Sequence, residues 1–594
     1  MKRFFIALIA FILIALAFLL PNRSGLDDGV PPPLPSADFA IFENAKIYTA
    51  DPVEPWAEAM IIHGDRLVFV GGQDEASRQV SGSIARYDLG GRFVMPGIID
   101  SHTHPGLVAI LGEEEESDVS ESMPGRPLDA ILDWLEAYDD ANPLTPFVMQ
   151  GSWDVAEFLP DGPHRRHLDE LFPIKPVMLL DNSGHSFWVN SAMLTLLGVD
   201  DDVAPLSEVS YFVRDAKGEL TGWAKEFALF PYFGDLLVPS KKVLRERFLD
   251  HIRFLVDNGV TSLWDAGNFH MDEAVYEIAS ELDRDGRLPI RYEGSYHIWE
   301  PGQIGFARER LLELRRKYAG DKLQFNTIKI HFDGVHEILT AATLTSYETD
   351  PGNTGGVLFA AGRLAEFMLE LEAEQIDLHF HVVGARATRT ALDAVELAQQ
   401  ELGQALSIEI TLSHLEYVDP IDIPRFKPLG VHANFTPHWF GGGYFGQAGA
   451  INLGPERASQ SQVVGRFMDA GANVTLSSDV ISALGASRSN PFIGIEMSVT
   501  RREFGSDAGS PLLSPADAAV SRKSAISAYT LNGARQLGWE EETGSLVAGK
   551  LADFIMLDAS PLEVDENKIH SIKVLATVVG GQLVAGSLPD AVSK

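Results

Sequence analysis

Between residues 93 and 480 the chain repeats one pattern eight times: a short, nearly unbroken apolar run, followed by a stretch in which polar and apolar residues alternate more slowly. The runs lie at 93–104, 260–266, 290–297, 327–334, 377–383, 409–417, 430–437 and 473–480. Runs this short and this apolar suit strands buried on both faces of a parallel sheet. The intervening stretches at 243–258, 271–285 and 364–374 return an apolar residue every three or four positions, the period of a helix covering one of those faces. Eight strand–helix units are the number that closes a barrel. The pattern therefore predicts an α/β fold, a (β/α)8 TIM barrel over residues 94–540.

The repeat is irregular once. Residues 105–259 separate the first and second runs where a single helix would suffice, which marks an insertion. It holds strand-like pieces at 146–150, 177–181 and 210–213 and a helix-like run at 191–197. Leaving strand one at its C-terminal end, it is expected beside the barrel mouth, contributing to a substrate pocket. Outside the barrel, residues 37–93 and 541–588 share short β-rich runs broken by glycine pairs, among them Ala59-Met60-Ile61-Ile62 and Val578-Val579-Gly580-Gly581. They are expected to be two halves of one small β-sandwich domain built from both chain ends, because pairing them leaves fewer open sheet edges than two separate appendages.

Lys2 and Arg3 precede an apolar run from Phe4 to Leu20. Residues 1–24 read as a signal peptide or membrane anchor, and 25–36, with four prolines, as a linker. The run is at the short limit for a bilayer span and Ala15-Leu16-Ala17 has the form of a cleavage site, so both versions stand; either implies export to an extracytoplasmic compartment, with membrane contact through this segment if it is kept. Eighty-four acidic against 47 basic residues give a formal charge of −37, which excludes a nucleic-acid partner, since phosphate binding needs a basic surface. Part of the excess is the run Glu113-Glu114-Glu115-Glu116, read as a solvated loop. The chain has no cysteine, so any metal must bind through histidine, carboxylate or a modified lysine. A homo-oligomer is left open.

Polar residues inside apolar strands need partners, and here they fall at strand ends. Strand one ends Ile98-Ile99-Asp100-Ser101-His102-Thr103-His104; strand alternation places His102 and His104 on one face. Lys329, His381, His414 and Asp479 end strands four, five, six and eight. Any one of them reads as a satisfied core polar group; together, in this order, they read as a metal site at the barrel mouth. His379 and His331 share the inward face, as ligand-orienting partners or lower-layer core groups. Arg386, Trp153, Trp439 and Gly441-Gly442-Gly443 line the pocket or are ordinary loop residues. Asn434-Phe435-Thr436 has the form of a glycosylation site but falls on a barrel strand.

Five motifs carry a resemblance: Pro96-Gly97-Ile98-Ile99-Asp100-Ser101-His102-Thr103-His104; Gly184-His185-Ser186-Phe187-Trp188-Val189-Asn190-Ser191; Lys329-Ile330-His331-Phe332-Asp333-Gly334; Ser478-Asp479 with Asn490-Pro491; and Gly544-Ser545-Leu546-Val547-Ala548-Gly549-Lys550. With these the chain resembles the amidohydrolase superfamily, in its amidohydrolase family 3 branch that includes N-substituted formamide deformylases, over nearly everything after residue 36. The resemblance implies one or two divalent ions, usually zinc. His102 and His104 would hold the more buried ion, His381 and His414 the more exposed one, with carboxylated Lys329 between them and Asp479 beside the reacting water as base and then acid. A lysine desolvated among apolar strands loses its proton more readily and can then take up CO₂. His185 is implied as a substrate or oxyanion contact, with a loop-organising role as the alternative. Two positions depart from the family pattern: His331, where relatives carry an apolar or aromatic residue, and Ala385 in Gly384-Ala385-Arg386, where they carry a carboxylate.

The expected activity is metal-dependent hydrolysis of a non-peptide carbon–nitrogen bond in a small molecule, an N-substituted amide or formamide. An esterase or lactonase on the same barrel is the alternative, and a non-catalytic ligand-binding barrel the more remote one.

Overall fold

The computed structural model describes residues 39–79, 84–112, 127–149, 152–159, 161–234, 238–440, 447–507 and 509–593. The leader and linker read at 1–36, the acidic run at 113–116 and the glycines 441–443 lie outside the described residues. Among the described residues no helix is long and apolar enough to cross a membrane.

Eight parallel strands form the central sheet in strict chain order: Ile98–Thr103, Val260–Asp265, Arg291–Ile298, Leu323–His331, Asp377–Val382, Ile410–His414, Val431–Phe435 and Val474–Leu476. They are the barrel strands of a (β/α)8 fold. Each carries the apolar side chains that made it visible in the sequence, and these bury against helices such as Lys241–Asp257, Asp272–Arg284, Ala361–Glu372 and Ala385–Leu402 in one continuous core. The last strand approaches the first, where the Asp479 amide donates to the His102 carbonyl at 2.9 Å. Asp100 reinforces this seam by accepting from both the amide and the hydroxyl of Ser478, at 3.0 and 2.6 Å.

The first apolar run, 93–104, is two strands. Phe93–Pro96 pairs with Phe554–Leu557 and Lys46–Tyr48 in a six-stranded sheet, and only Ile98–Thr103 enters the barrel. Gly97 is the joint: a Cβ there would lie 2.1 Å from the Thr261 hydroxyl, so only glycine lets the chain pass from one sheet to the other this close to strand two. A second, five-stranded sheet includes Ala40–Glu43, Ala59–His63 and Arg66–Gly71. Its inner face meets the six-stranded sheet around Phe42, Met60, Val94, Phe554 and Val578, so strands from both ends of the chain share one sandwich core.

Between strands one and two stands a third sheet of five strands, Ser152–Trp153, Met178–Asp181, Ser186–Val189, Tyr211–Arg214 and Leu220–Lys225. Its own core gathers Trp153, Trp188 and Trp223 and rests on Val335, Ile338 and Val383 at the barrel rim. Trp153 is fully buried and donates to the Leu179 carbonyl, which makes it a core residue of this sheet and not a pocket wall. The stretch 105–259 is not all of this kind. Pro105–Leu111 and Lys241–Asp257 bury Leu107, Ile110, Leu244 and Phe248 in the barrel core and belong to the outer ring.

One buried carboxyl marks a cost inside the barrel. Glu293 is fully buried, takes the Thr327 hydroxyl at 2.6 Å on one oxygen and leaves the other without a partner. Burial pushes it up to about 8. Its folded-state pKa lies above the unfolded value, so the native chain keeps a proton that the unfolded chain loses, and stability falls as pH rises from about 4.5 to about 8. Glu293→Gln is expected to gain roughly 3–5 kcal/mol over the wild type between pH 5 and pH 8.5. Melting temperatures across that range check it; parallel curves for the two proteins would show that Glu293 does not titrate there.

Candidate metal centre

Strand register brings the polar residues into layers. Lys329 is the Cα partner of His297 on one side and His379 on the other, while His331 partners His381 one step nearer the mouth. Same-face neighbours on adjacent strands sit about 4.8 Å apart, and the His331 and His381 rings accordingly stack at 3.9 Å between centroids. In the layer below, His379 stacks on Trp264 at 4.0 Å and places its Nε2 3.1 Å from His102 Nδ1. That contact fixes the His102 ring and turns its Nε2 toward the centre, so His379 positions His102.

Two of the site residues owe their place to backbone and not to alternation. His414 partners Val382, which by strand alternation points away from His381. His414 and Leu415 take φ of 74° and 48°, and this left-handed step carries the imidazole to 4.3 Å from His381. Asp479 has φ of 49°. Non-glycine residues held in this region at a convergence of polar groups store strain that the surrounding structure supports.

The result is a buried cluster. Asp479 Oδ1 lies 3.4 Å from His102 Nε2 and 3.5 Å from His104 Nε2, and its Oδ2 lies 3.5 Å from His414 Nδ1. Lys329 Nζ is 3.1 Å from His102 Nε2. His104 is oriented from behind by the Gly267 carbonyl, 3.0 Å from Nδ1. Burial lowers His102 well below the ordinary imidazole value, lowers His414 to about 3, and lowers Lys329 to about 7. Burial would raise Asp479, but His414, then His104 and Lys329, hold it below the ordinary carboxylate value. Neutral imidazoles around an ionised carboxylate are a donor set that binds cations. The buried Nε2 atom of His414 has no hydrogen-bond partner, a polar group that a bound cation would satisfy. The residues thus fit a divalent ion held by His102, His414 and Asp479, whose ligand atoms lie within 4.8 Å of one another, with His104 and Lys329 beside them.

His381 is divided between two groups. Its ring touches His414, but its ligating nitrogen groups with those of His185 and His331, again within 4.8 Å. His185 reaches this place from the inserted sheet and is held by Glu226, whose carboxylate accepts from His185 Nδ1 at 2.8 Å and from the Thr340 hydroxyl at 2.5 Å. Burial would lower His185, but Glu226 outweighs it and keeps the imidazole up at about 9; burial would raise Glu226, but His185 brings it down to about 2. Glu226 was not legible as a site residue. It follows strand Leu220–Lys225 with nothing local to mark it. Other candidates are scaffold. Arg386 donates to the Thr343, Thr354 and Gly355 carbonyls, and Asp333 accepts from the amides of Ala342, Val383 and Gly384, so the pair ties two mouth loops together. Trp439 donates to the Ser478 carbonyl, next to Asp479. Asn434 is fully buried against Ser101 and Thr475, inaccessible to a glycan.

A parallel eight-stranded barrel with histidines, a lysine and an aspartate converging at its C-terminal strand ends has the build of a metal-dependent hydrolase. Residues 86–585 match the model of the amidohydrolase family, and the chain belongs to that family. Among curated proteins it is similar to the exoenzymes regulatory protein AepA of Pectobacterium carotovorum subsp. carotovorum, 27% identical over 67% of this chain and 85% of that one. It is also similar to the N-substituted formamide deformylase of Arthrobacter pascens, 24% identical over 91% of this chain and 97% of that one. Among solved structures, an uncharacterized metal-dependent hydrolase from Pyrococcus horikoshii OT3 superposes with a TM-score of 0.64 at 22% identity, covering 89% of this chain and 99% of that one, a likeness of fold.

Proposed function

We propose that the chain hydrolyses a non-peptide carbon–nitrogen bond, in an N-substituted amide or formamide, with a divalent cation, zinc first among candidates, at the barrel mouth. The observation that carries the reading is the meeting of His102, His104, His414, Lys329 and Asp479, drawn from three strands and the end of a fourth, around one buried space. The substrate class is supported by the near full-length similarity to a protein named for N-substituted formamides.

Bound there, a divalent cation supplies Lewis acidity, bringing a water close to ionisation at neutral pH and polarising a carbonyl. Lys329, fully buried and lowered to about 7, is available as the free amine and joins the ligand set as a carbamate. Asp479, held ionised, takes the proton of the attacking water and returns it to the leaving nitrogen. His185, part-exposed at the edge of the inserted sheet, faces the substrate. Chelation of the purified protein is expected to abolish amine release from a panel of N-substituted formamides and amides, and zinc or manganese to restore it. Turnover indifferent to both treatments, or confined to matched esters, would reject the reading.

A further inference from the structure

We infer that Glu226 is a positioning residue for the hydrolysis, acting through His185 by fixing which ring nitrogen of that imidazole is left for the substrate. The inference rests on the metallohydrolase reading of the barrel mouth and specifies what the inserted sheet contributes to it.

The two residues lie just beyond a paired strand end. Ser186 is the Cα partner of Lys225 in the inserted sheet, so His185 and Glu226 are the next pair along. Glu226 grips its neighbour at two points: its amide donates to the His185 carbonyl at 2.7 Å, and its carboxylate accepts from His185 Nδ1 at 2.8 Å. The turn that makes both contacts holds Glu226 at φ of 50°, a conformation costly for a glutamate and kept only where the surroundings impose it. The carboxylate is in turn held by the barrel. Its Oε1 takes the Thr340 hydroxyl, and its Oε2 lies 3.4 Å from His331 Nε2 as well as on His185. Gly334 leaves the room for this, since a Cβ there would stand 2.2 Å from Oε1. A carboxylate fixed on the barrel side thus fixes an imidazole that arrives from a separate sheet.

A purely structural role is already filled by the residue before it. Lys225 docks the same strand end on the barrel, its Nζ donating to the Ile338 carbonyl at 2.8 Å and lying 4.2 Å from the Trp223 ring centroid. Glu226 has no exposed side-chain surface, and a charge buried there costs free energy that packing alone does not require. What the charge does is choose between the two nitrogens of His185. With Nδ1–H committed to Oε2, Nε2 is the nitrogen left for the substrate, on a ring that is still 22% exposed. A buried carboxylate on Nδ1 that holds the tautomer and the ring orientation is a recurring way to prepare a working imidazole.

The test is a kinetic double-mutant cycle on the full, metal-loaded chain, with amine release from the panel of formamides and amides as the readout. Glu226→Gln keeps the size and shape of the side chain and is expected to lower kcat/KM on the order of 10–100-fold, the loss of one charge-assisted hydrogen bond. In a His185→Ala background the same change is expected to cost less than about threefold, because the ring it positions is gone. Bound metal per chain should be equal across the four proteins, and melting curves show that they are folded. Nitrogen NMR of the histidine rings should find His185 protonated at Nδ1 in the wild type and mixed between tautomers in Glu226→Gln. An equal loss in both backgrounds assigns Glu226 to the scaffold and overturns the inference, as does a folded, metal-loaded Glu226→Gln protein with wild-type kcat/KM. Should that variant fail to fold, Thr340→Val, which frees only Oε1, takes its place in the cycle under the same criteria. Wild-type turnover that ignores chelation rejects the hydrolase reading and this inference with it; chelator-sensitive turnover with no coupling in the cycle rejects this inference alone.

Discussion

Asp479→Asn is expected to lower kcat by about 10³–10⁴, the upper range for loss of a general base and acid. Asparagine is the informative replacement for a structural reason. Asp479 has φ of 49°, a conformation that aspartate and asparagine accept more readily than other side chains, so alanine would add strain to the chemical loss. Its position does not depend on its charge. The backbone is held by the amide of residue 479 on the His102 carbonyl and by Asp100 gripping Ser478. The variant therefore keeps a substituent of the same shape at the same point and loses the negative charge together with the ability to accept a proton. kcat and kcat/KM should fall together with KM little changed, the signature of an interaction made in the transition state. Bound metal measured on the same sample separates this from ligand loss. A metal-loaded variant within tenfold of wild type would remove Asp479 from the proton-transfer role.

The barrel was legible because its strands are apolar on both faces, so each Lys or His within them stood out against the run it interrupts. His102 and His104, two apart on one strand, are close by alternation alone, and the order of the other strand ends followed from chain order. What sequence could not carry is whatever depends on register, backbone twist or contact between separate sheets. Alternation cannot place His414, which partners Val382 and reaches the site through a left-handed step at its own position. Register decides that His331 lies flat on His381 and Lys329 beside His379. Glu226 and His185 are 41 residues apart, just beyond the paired ends of two strands of the inserted sheet, and only that sheet's pairing brings them together. The break at Gly97 was hidden for the opposite reason: both strands it separates are apolar, so the run looks continuous though it serves two cores.

Lys329→Met is expected to leave a folded barrel with metal-dependent turnover reduced on the order of 10³-fold, equivalent to about 4 kcal/mol of lost transition-state stabilisation. Methionine fills the same space without an amine, and the site is one that penalises charge: Lys329 is 2% exposed, its Nζ lies 5.7 Å from the Trp264 ring centroid, and burial lowers it to about 7. Removing it should not destabilise the fold. What it removes is chemistry. On the proposed reading the lowered amine adds to CO₂: a nitrogen–carbon bond forms, one N–H proton leaves, and the product is an anion whose two oxygens can be offered to the ion. An ammonium in the same place would repel a cation, so metal binding and carbamate formation support each other. Metal-stripped wild-type protein, degassed of CO₂, should accordingly recover more activity from zinc with bicarbonate than from zinc alone, whereas Lys329→Met should not respond to bicarbonate. Equal recovery with and without bicarbonate, or a methionine variant as active as wild type, would leave Lys329 as a buried amine with no part in holding the ion.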